Sequence, residues 1–164
     1  MKEQARLSIG IDIGSTTAKI VVVEAGQIIY ENYQRHFSQV RQKTLELLEG
    51  AAPRVGKRPF TAAISGSAGL GLAESAGIPF VQEVFATGEV VRRLEPDASA
   101  VVELGGEDAK IIFFDGGMDE RMNGSCAGGT GAFIDQMAML LNVTTDELDR
   151  LSLESERLYP IASR

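Results

Sequence analysis

An α/β fold with a mixed sheet is predicted by three observations. The chain opens on three closely spaced strand-like segments, helical and strand-like segments then alternate, and glycine turns punctuate the strands. Leu7–Ile13 alternates apolar with small or polar residues, as a strand does, and ends at the turn Gly14, Ser15, Thr16, Thr17. Ala18–Val23 and Ile28–Tyr33 read as the next two strands, joined by the turn Glu24–Gln27, so the three make an antiparallel meander. Ser38 is placed to N-cap a helix reaching about Glu49, with Val40, Leu45 and Leu48 near helical spacing. Pro53–Pro59 reads as a connection.

Phe60–Ser65 is a short buried strand closed by Gly66, residues 67–76 read as helical, and Phe80–Val81 as a brief strand before a helix over Glu83–Leu94. Ser99–Leu104, Lys110–Phe114 and Met118–Met122 are the following strands. Thr130–Leu141 is a helix whose stripe of Phe133, Ile134, Met137, Leu140 and Leu141 is expected to be core, and a further short helix starts near Thr145. Three strands followed by alternating helices and strands is the opening order of a ribonuclease-H-like α/β domain. No repeats and no low-complexity tract stand out.

With 164 residues, 44% hydrophobic and 24% charged, the composition is that of a globular domain able to bury a core. A net charge of -7 argues against general nucleic-acid binding. No apolar run is long enough to span a membrane, and the start lacks a signal-peptide pattern. A single cysteine rules out an internal disulfide and suits a reducing, cytoplasmic compartment.

Three motifs carry chemistry. The first is GIDIGSTTAK at 10–19. Its spacing is not that of a Walker A loop, and no helix follows it. A hairpin turn of Gly14, Ser15, Thr16 and Thr17 offers N–H and hydroxyl donors to phosphate, and Asp12 at the strand end is placed to hold magnesium through water. The bland alternative is an ordinary hairpin with small residues at its tip.

The second motif is ELGGEDAK at 103–110. Gly105 and Gly106 let backbone approach a ligand, while Glu103, Glu107 and Asp108 would repel phosphate unless a cation intervenes. Alone it reads as a solvated acidic turn. Two strand–glycine-turn–strand units with acidic strand ends, about ninety residues apart, favour a shared nucleotide phosphate site.

The third is NGSCAGGTGAF at 123–133, which sets the only cysteine, Cys126, a few residues before a helix, where a thiolate is favoured. A lone cysteine is more often an inert core residue, but this loop is too polar and glycine-rich for a core. Gly124–Gly128 also fits a nucleophile-elbow spacing. That chemistry needs a histidine base, and the only histidine, His36, lies upstream and reads as a partly exposed surface residue.

Together the three motifs resemble those of the ATPase activators of 2-hydroxyacyl-CoA dehydratases, a family that includes the ATP-binding subunits of benzoyl-CoA reductase. The wording of the second and third is closest to activase-like domains of large multidomain members. The resemblance implies an actin-like, sugar-kinase-like fold, shared with heat-shock chaperones, of two ribonuclease-H-like lobes with ATP in the cleft. Residues 1–164 would be the N-terminal lobe, with the adenine-binding lobe and a second cluster cysteine beyond Arg164. It further implies a homodimer sharing one four-iron four-sulfur cluster, and ATP turnover that drives a low-potential electron to a dehydratase or reductase partner in anaerobic metabolism.

By position, the resemblance assigns nucleotide (ATP or ADP) binding to Asp12, Gly14, Ser15, Thr16, Thr17, Lys19, Glu103, Gly105, Gly106, Gly129 and Thr130. Water-mediated magnesium falls to Asp12 and Glu103, catalysis to Glu107 and Asp108, and a cluster-ligand role to Cys126. Family members more often carry Asp at position 103 and Gln at position 107. Two other readings therefore stay open: a small-molecule kinase of the same superfamily with Asp108 or Glu107 as base, and a regulatory domain without turnover.

Overall fold

The structure, a computed structural model, describes residues 7–122 and 129–159. Two compact units divide the chain, Met1–Pro96 and Asp97–Arg164. The predicted fold class holds: a mixed α/β architecture built on an antiparallel meander.

In the first unit, β1 (Leu7–Ile13), β2 (Thr17–Glu24), β3 (Gln27–Arg35) and β4 (Phe60–Ser65) form one sheet in the order β3-β2-β1-β4. The meander strands pair antiparallel, and β4 joins β1 in parallel after the helix α1 (Val40–Val55). Period-two alternation puts Leu7, Ile9, Ile11 and Ile13 on one face, with Ala18, Ile20 and Val22 of β2. Leu47, Ala51 and Val55 of α1 complete that core together with Ile64. Ala25 and Gly26 turn β2 into β3 with φ of 51° and 81°, as a tight two-residue hairpin requires.

Helix α1 departs from the sequence expectation at both ends. Its N-cap position is Gln39, not Ser38, and it runs through Pro53 to Val55 before Gly56 ends it at φ 63°. Pro53 sits in the last turn, where it removes one intrahelical bond, and burial of Ala51 and Val55 on the sheet outweighs that loss.

Beyond β4, Gly66 adopts φ 96° against β1; a Cβ there would lie 2.1 Å from the Ile13 carbonyl oxygen, so only glycine fits. The helix predicted over 67–76 is α2 (Leu70–Ala76), and the brief strand at Phe80–Val81 is a single parallel bridge between Phe80 and Ile64. Helix α3 (Glu83–Leu94) follows as expected. On the sheet face away from the core, Gly10, Val21, Ala63, Val81, Ala86 and Val90 are among the residues lining a cavity of about 790 Å³.

In the second unit, β5 (Ala100–Leu104), β6 (Ala109–Phe113) and β7 (Asp119–Met122) make an antiparallel sheet, followed by α4 (Gly131–Leu141) and α5 (Thr145–Leu153). Thr144 and Glu147 close a reciprocal capping box at the start of α5. The α4 stripe is not core in this chain: Ile134, Leu140 and Leu141 are exposed and only Ala138 is buried. Among the described residues no helix is long and apolar enough to cross a membrane.

Two candidate phosphate-binding turns

In the first unit, β1 ends at Asp12 and Ile13, and antiparallel register sets Asp12 directly across from Lys19. Lys19 Nζ lies 2.5 Å from Asp12 Oδ2 and 5.8 Å from the centroid of the Tyr33 ring. Both side chains are partly exposed, so the pair is accessible to solvent and to a ligand. Between them the turn closes tightly, the Gly14 N–H donating to the Thr17 carbonyl at 2.9 Å. Thr17 is buried beneath Gly14, whereas Ser15 is exposed at the tip and Thr16 is half-buried.

The turn's carbonyls point inward, and one residue receives two of them. His36 donates its backbone N–H to the Thr16 carbonyl at 3.1 Å, and its ring Nε2 lies 3.0 Å from the Gly14 carbonyl. The expectation of a partly exposed surface histidine is therefore wrong: His36 is only 3% exposed. It follows β3 directly, and the corner after it, Phe37 and Ser38 with φ of 47° and 63°, folds the chain back so that the Ser38 N–H reaches His36 Nδ1 at 3.1 Å. Nothing in the local sequence pattern signals this burial; the signal that exists is that β3 pairs with β2 as far as Arg35↔Thr17, which brings residue 36 alongside the turn.

The second unit builds a similar frame from β5 and β6. Glu103 stands across from Lys110 in register, with Nζ to Oε1 at 3.5 Å, and the Gly105 N–H donates to the Asp108 carbonyl at 2.8 Å. Lys110 is buried and Glu103 half-buried, Glu107 is exposed and Asp108 half-buried. Here the start of α4 holds the turn: Gly131 N–H donates to the Gly105 carbonyl at 3.0 Å and Ala132 N–H to the Gly106 carbonyl at 2.8 Å. A Cβ on Gly131 would lie 3.4 Å from Gly106 Cα, in ordinary contact, so the N–H donors rather than the missing side chain hold helix and turn together. Thr130, the N-cap residue of α4, is fully buried and its hydroxyl has no hydrogen-bond partner among the described residues, while Gly129 is exposed at φ 72°.

The sequence-predicted residues thus fall into two sets. Asp12, Gly14–Thr17 and Lys19 meet in one unit; Glu103, Gly105, Gly106, Glu107 and Asp108 adjoin the start of α4 at Thr130 in the other. Cys126 lies outside the described residues. Among the described residues no three His, Cys, Asp or Glu side chains gather as a metal-holding group.

The profile of the BadF/BadG/BcrA/BcrD ATPase family matches residues 9–163 and so includes all three motifs. The chain belongs to this family. The (R)-2-hydroxyglutaryl-CoA dehydratase activating ATPase of Acidaminococcus fermentans is 30% identical over 95% of the chain, which covers 62% of that relative. The activator of lactoyl-CoA dehydratase of Anaerotignum propionicum is 29% identical over 95% of the chain, again covering 62% of the relative. Among solved structures, the activator of the 2-hydroxyisocaproyl-CoA dehydratase from Clostridium difficile with bound ADPNP superimposes with a TM-score of 0.80 at 25% identity, over 96% of this chain and 60% of that one. This family member therefore spans somewhat over half the length of the relatives it matches.

Proposed function

We propose that this chain is part of an ATP-dependent activator of a 2-hydroxyacyl-CoA dehydratase or a related CoA-substrate reductase. The observation that carries the reading is the Gly14–Thr17 turn: its carbonyls are tied inward and its exposed tip is left with donors, beside a carboxylate at the strand end. That polarity suits phosphate oxygens, and the similar activators with ATPase activity or bound ADPNP make a nucleotide the natural ligand. In this reading Ser15 and Thr16 donate to phosphate, and Lys19 shares its charge between Asp12 and the ligand. In the second unit, Gly105 and Gly106 form the corresponding candidate phosphate turn, their carbonyls held by the Gly131 and Ala132 N–H groups. Glu107 and Asp108 are the candidates to orient water or accept a proton.

Magnesium, when bound, would screen the phosphates from these acids. Asp12 and, in the second unit, Glu103 are the candidates to hold it through water, each carboxylate also facing a lysine across its strands. A four-iron four-sulfur cluster would supply one-electron chemistry, with Cys126 as the chain's one possible thiolate ligand. With one cysteine per chain, a homodimer of this chain offers two, so the full ligand set needs further sulfur.

Calorimetric titration of the chain with ATP and magnesium tests the nucleotide step. Binding weakened about tenfold or more by Asp12→Asn is expected, from loss of a charged contact worth roughly 1.5–3 kcal/mol; absence of binding to the unaltered chain rejects the reading. Anaerobic reconstitution of the full-length protein with iron and sulfide tests the cluster: a visible absorbance band that Cys126→Ser abolishes is expected. A small-molecule kinase is the second reading, favoured by the exposed Glu107 next to Asp108, and ATP turnover that appears only with an added hydroxyl acceptor decides for it.

A further inference from the structure

We infer that His36, in its neutral form protonated on Nε2, is a positioning residue that aims the donors of the Gly14–Thr17 turn outward. The inference rests on the nucleotide reading of that turn and adds to it a side chain outside every glycine motif. Three contacts fix the ring. It is 3% exposed, its Nδ1 faces the Ser38 N–H at 3.1 Å, and its Nε2 faces the Gly14 carbonyl at 3.0 Å. A backbone N–H can only donate, so Nδ1 is an acceptor and the ring proton of a neutral imidazole sits on Nε2, directed at Gly14.

The consequence follows from the planar trans peptide. The Gly14 carbonyl and the Ser15 N–H belong to one peptide unit and point in opposite directions. Holding that carbonyl inward therefore turns the Ser15 N–H away from the core, at the exposed tip of the turn. The backbone N–H of His36 holds the Thr16 carbonyl at 3.1 Å, so one residue fixes the Gly14–Ser15 and Thr16–Thr17 peptides, which flank the Ser15–Thr16 peptide at the tip. The second unit repeats the device with other atoms. There the corresponding Gly105 carbonyl is held at 3.0 Å by the Gly131 N–H. Two units that hold the same carbonyl by unrelated means make an accidental contact at His36 a poor explanation.

The test compares His36→Leu, His36→Gln and His36→Asn in the whole chain. Gln can keep a donor toward Gly14, Asn can keep an acceptor toward Ser38, and Leu keeps neither. ATP–magnesium affinity is expected to fall about tenfold in the Leu and Asn variants, the worth of one directed hydrogen bond, and to stay within about threefold in the Gln variant. Affinity unchanged in the Leu variant, or weaker in Gln than in Asn, overturns the inference. If the Leu variant does not fold, the order of Gln and Asn decides alone. Amide hydrogen exchange provides a readout independent of nucleotide. Exchange at Gly14 and at position 36 is expected to quicken about tenfold in the Asn variant and little in the Gln variant. A chain that binds no ATP rejects the nucleotide reading, and exchange rates equal in all variants reject the role of His36.

Discussion

The two glycine turns share a frame and differ in what surrounds it. Asp12 and Glu103 each precede a glycine by two residues, and Lys19 and Lys110 each follow that glycine by five. In both, acid and lysine face each other across antiparallel strands, and the glycine N–H closes the turn onto the carbonyl three residues on. The differences are in charge and burial. The first turn carries hydroxyls and a partly exposed Lys19, the second carries Glu107, Asp108 and a buried Lys110. The same backbone thus serves one turn rich in donors and one rich in acids, and the chemistry lies in the three residues between glycine and alanine.

The most damaging test of this comparison is Gly66→Ala. A methyl group 2.1 Å from the Ile13 carbonyl would push on the strand that ends in the first turn. A loss of at least about 3 kcal/mol is expected in urea denaturation, because backbone cannot yield as a side-chain tip can. A near-neutral result would mean that the approach of Gly66 to β1 is looser than described.

The acids come next in size. Glu103→Gln deprives the buried Lys110 of an anionic partner and should cost roughly 1–3 kcal/mol. Asp12→Asn, whose partner is well exposed, should change stability by less than about 0.5 kcal/mol while weakening nucleotide binding. Equal losses of stability would erase the distinction between a structural and a ligand-facing pair.

The smallest effect concerns pH and belongs to the second unit. The Thr144 backbone N–H, and then its hydroxyl, hold the Glu147 carboxyl below its ordinary value near 4.5. A depressed folded value means that the ionised form stabilises α5 above the ordinary carboxylate range, and this stabilisation is lost as pH falls through the folded value. Glu147→Gln should flatten that acid limb slightly in a helicity-monitored titration; an unchanged limb would show that the capping box contributes nothing there.

Much of the fold was legible because period-two alternation in Leu7–Ile13 and the small-residue turns follow directly from strand geometry. The first two motifs were legible as glycine turns next to acids. The end of α1 was not, because Pro53 announces a break locally while burial of Val55 is a property of the sheet beneath it. The α4 stripe misled in the opposite direction: apolar spacing reports what a helix is able to bury, and in this chain Leu140 and Leu141 remain exposed. His36 escaped because its partners are backbone atoms, of Gly14 and Thr16 some twenty positions away and of Ser38 nearby, which carry no side-chain signature.

The corner at Phe37 and Ser38 has a practical consequence for anyone wishing to engineer this chain. Two successive residues with side chains sit in left-handed backbone, a conformation costing each about 1–2 kcal/mol relative to an ordinary one. The molecule therefore carries a small untapped thermal reserve at a single bend. Introducing glycine at 37, whose ring is largely in solvent, should release part of it and raise the melting point without touching any atom that grips the turn.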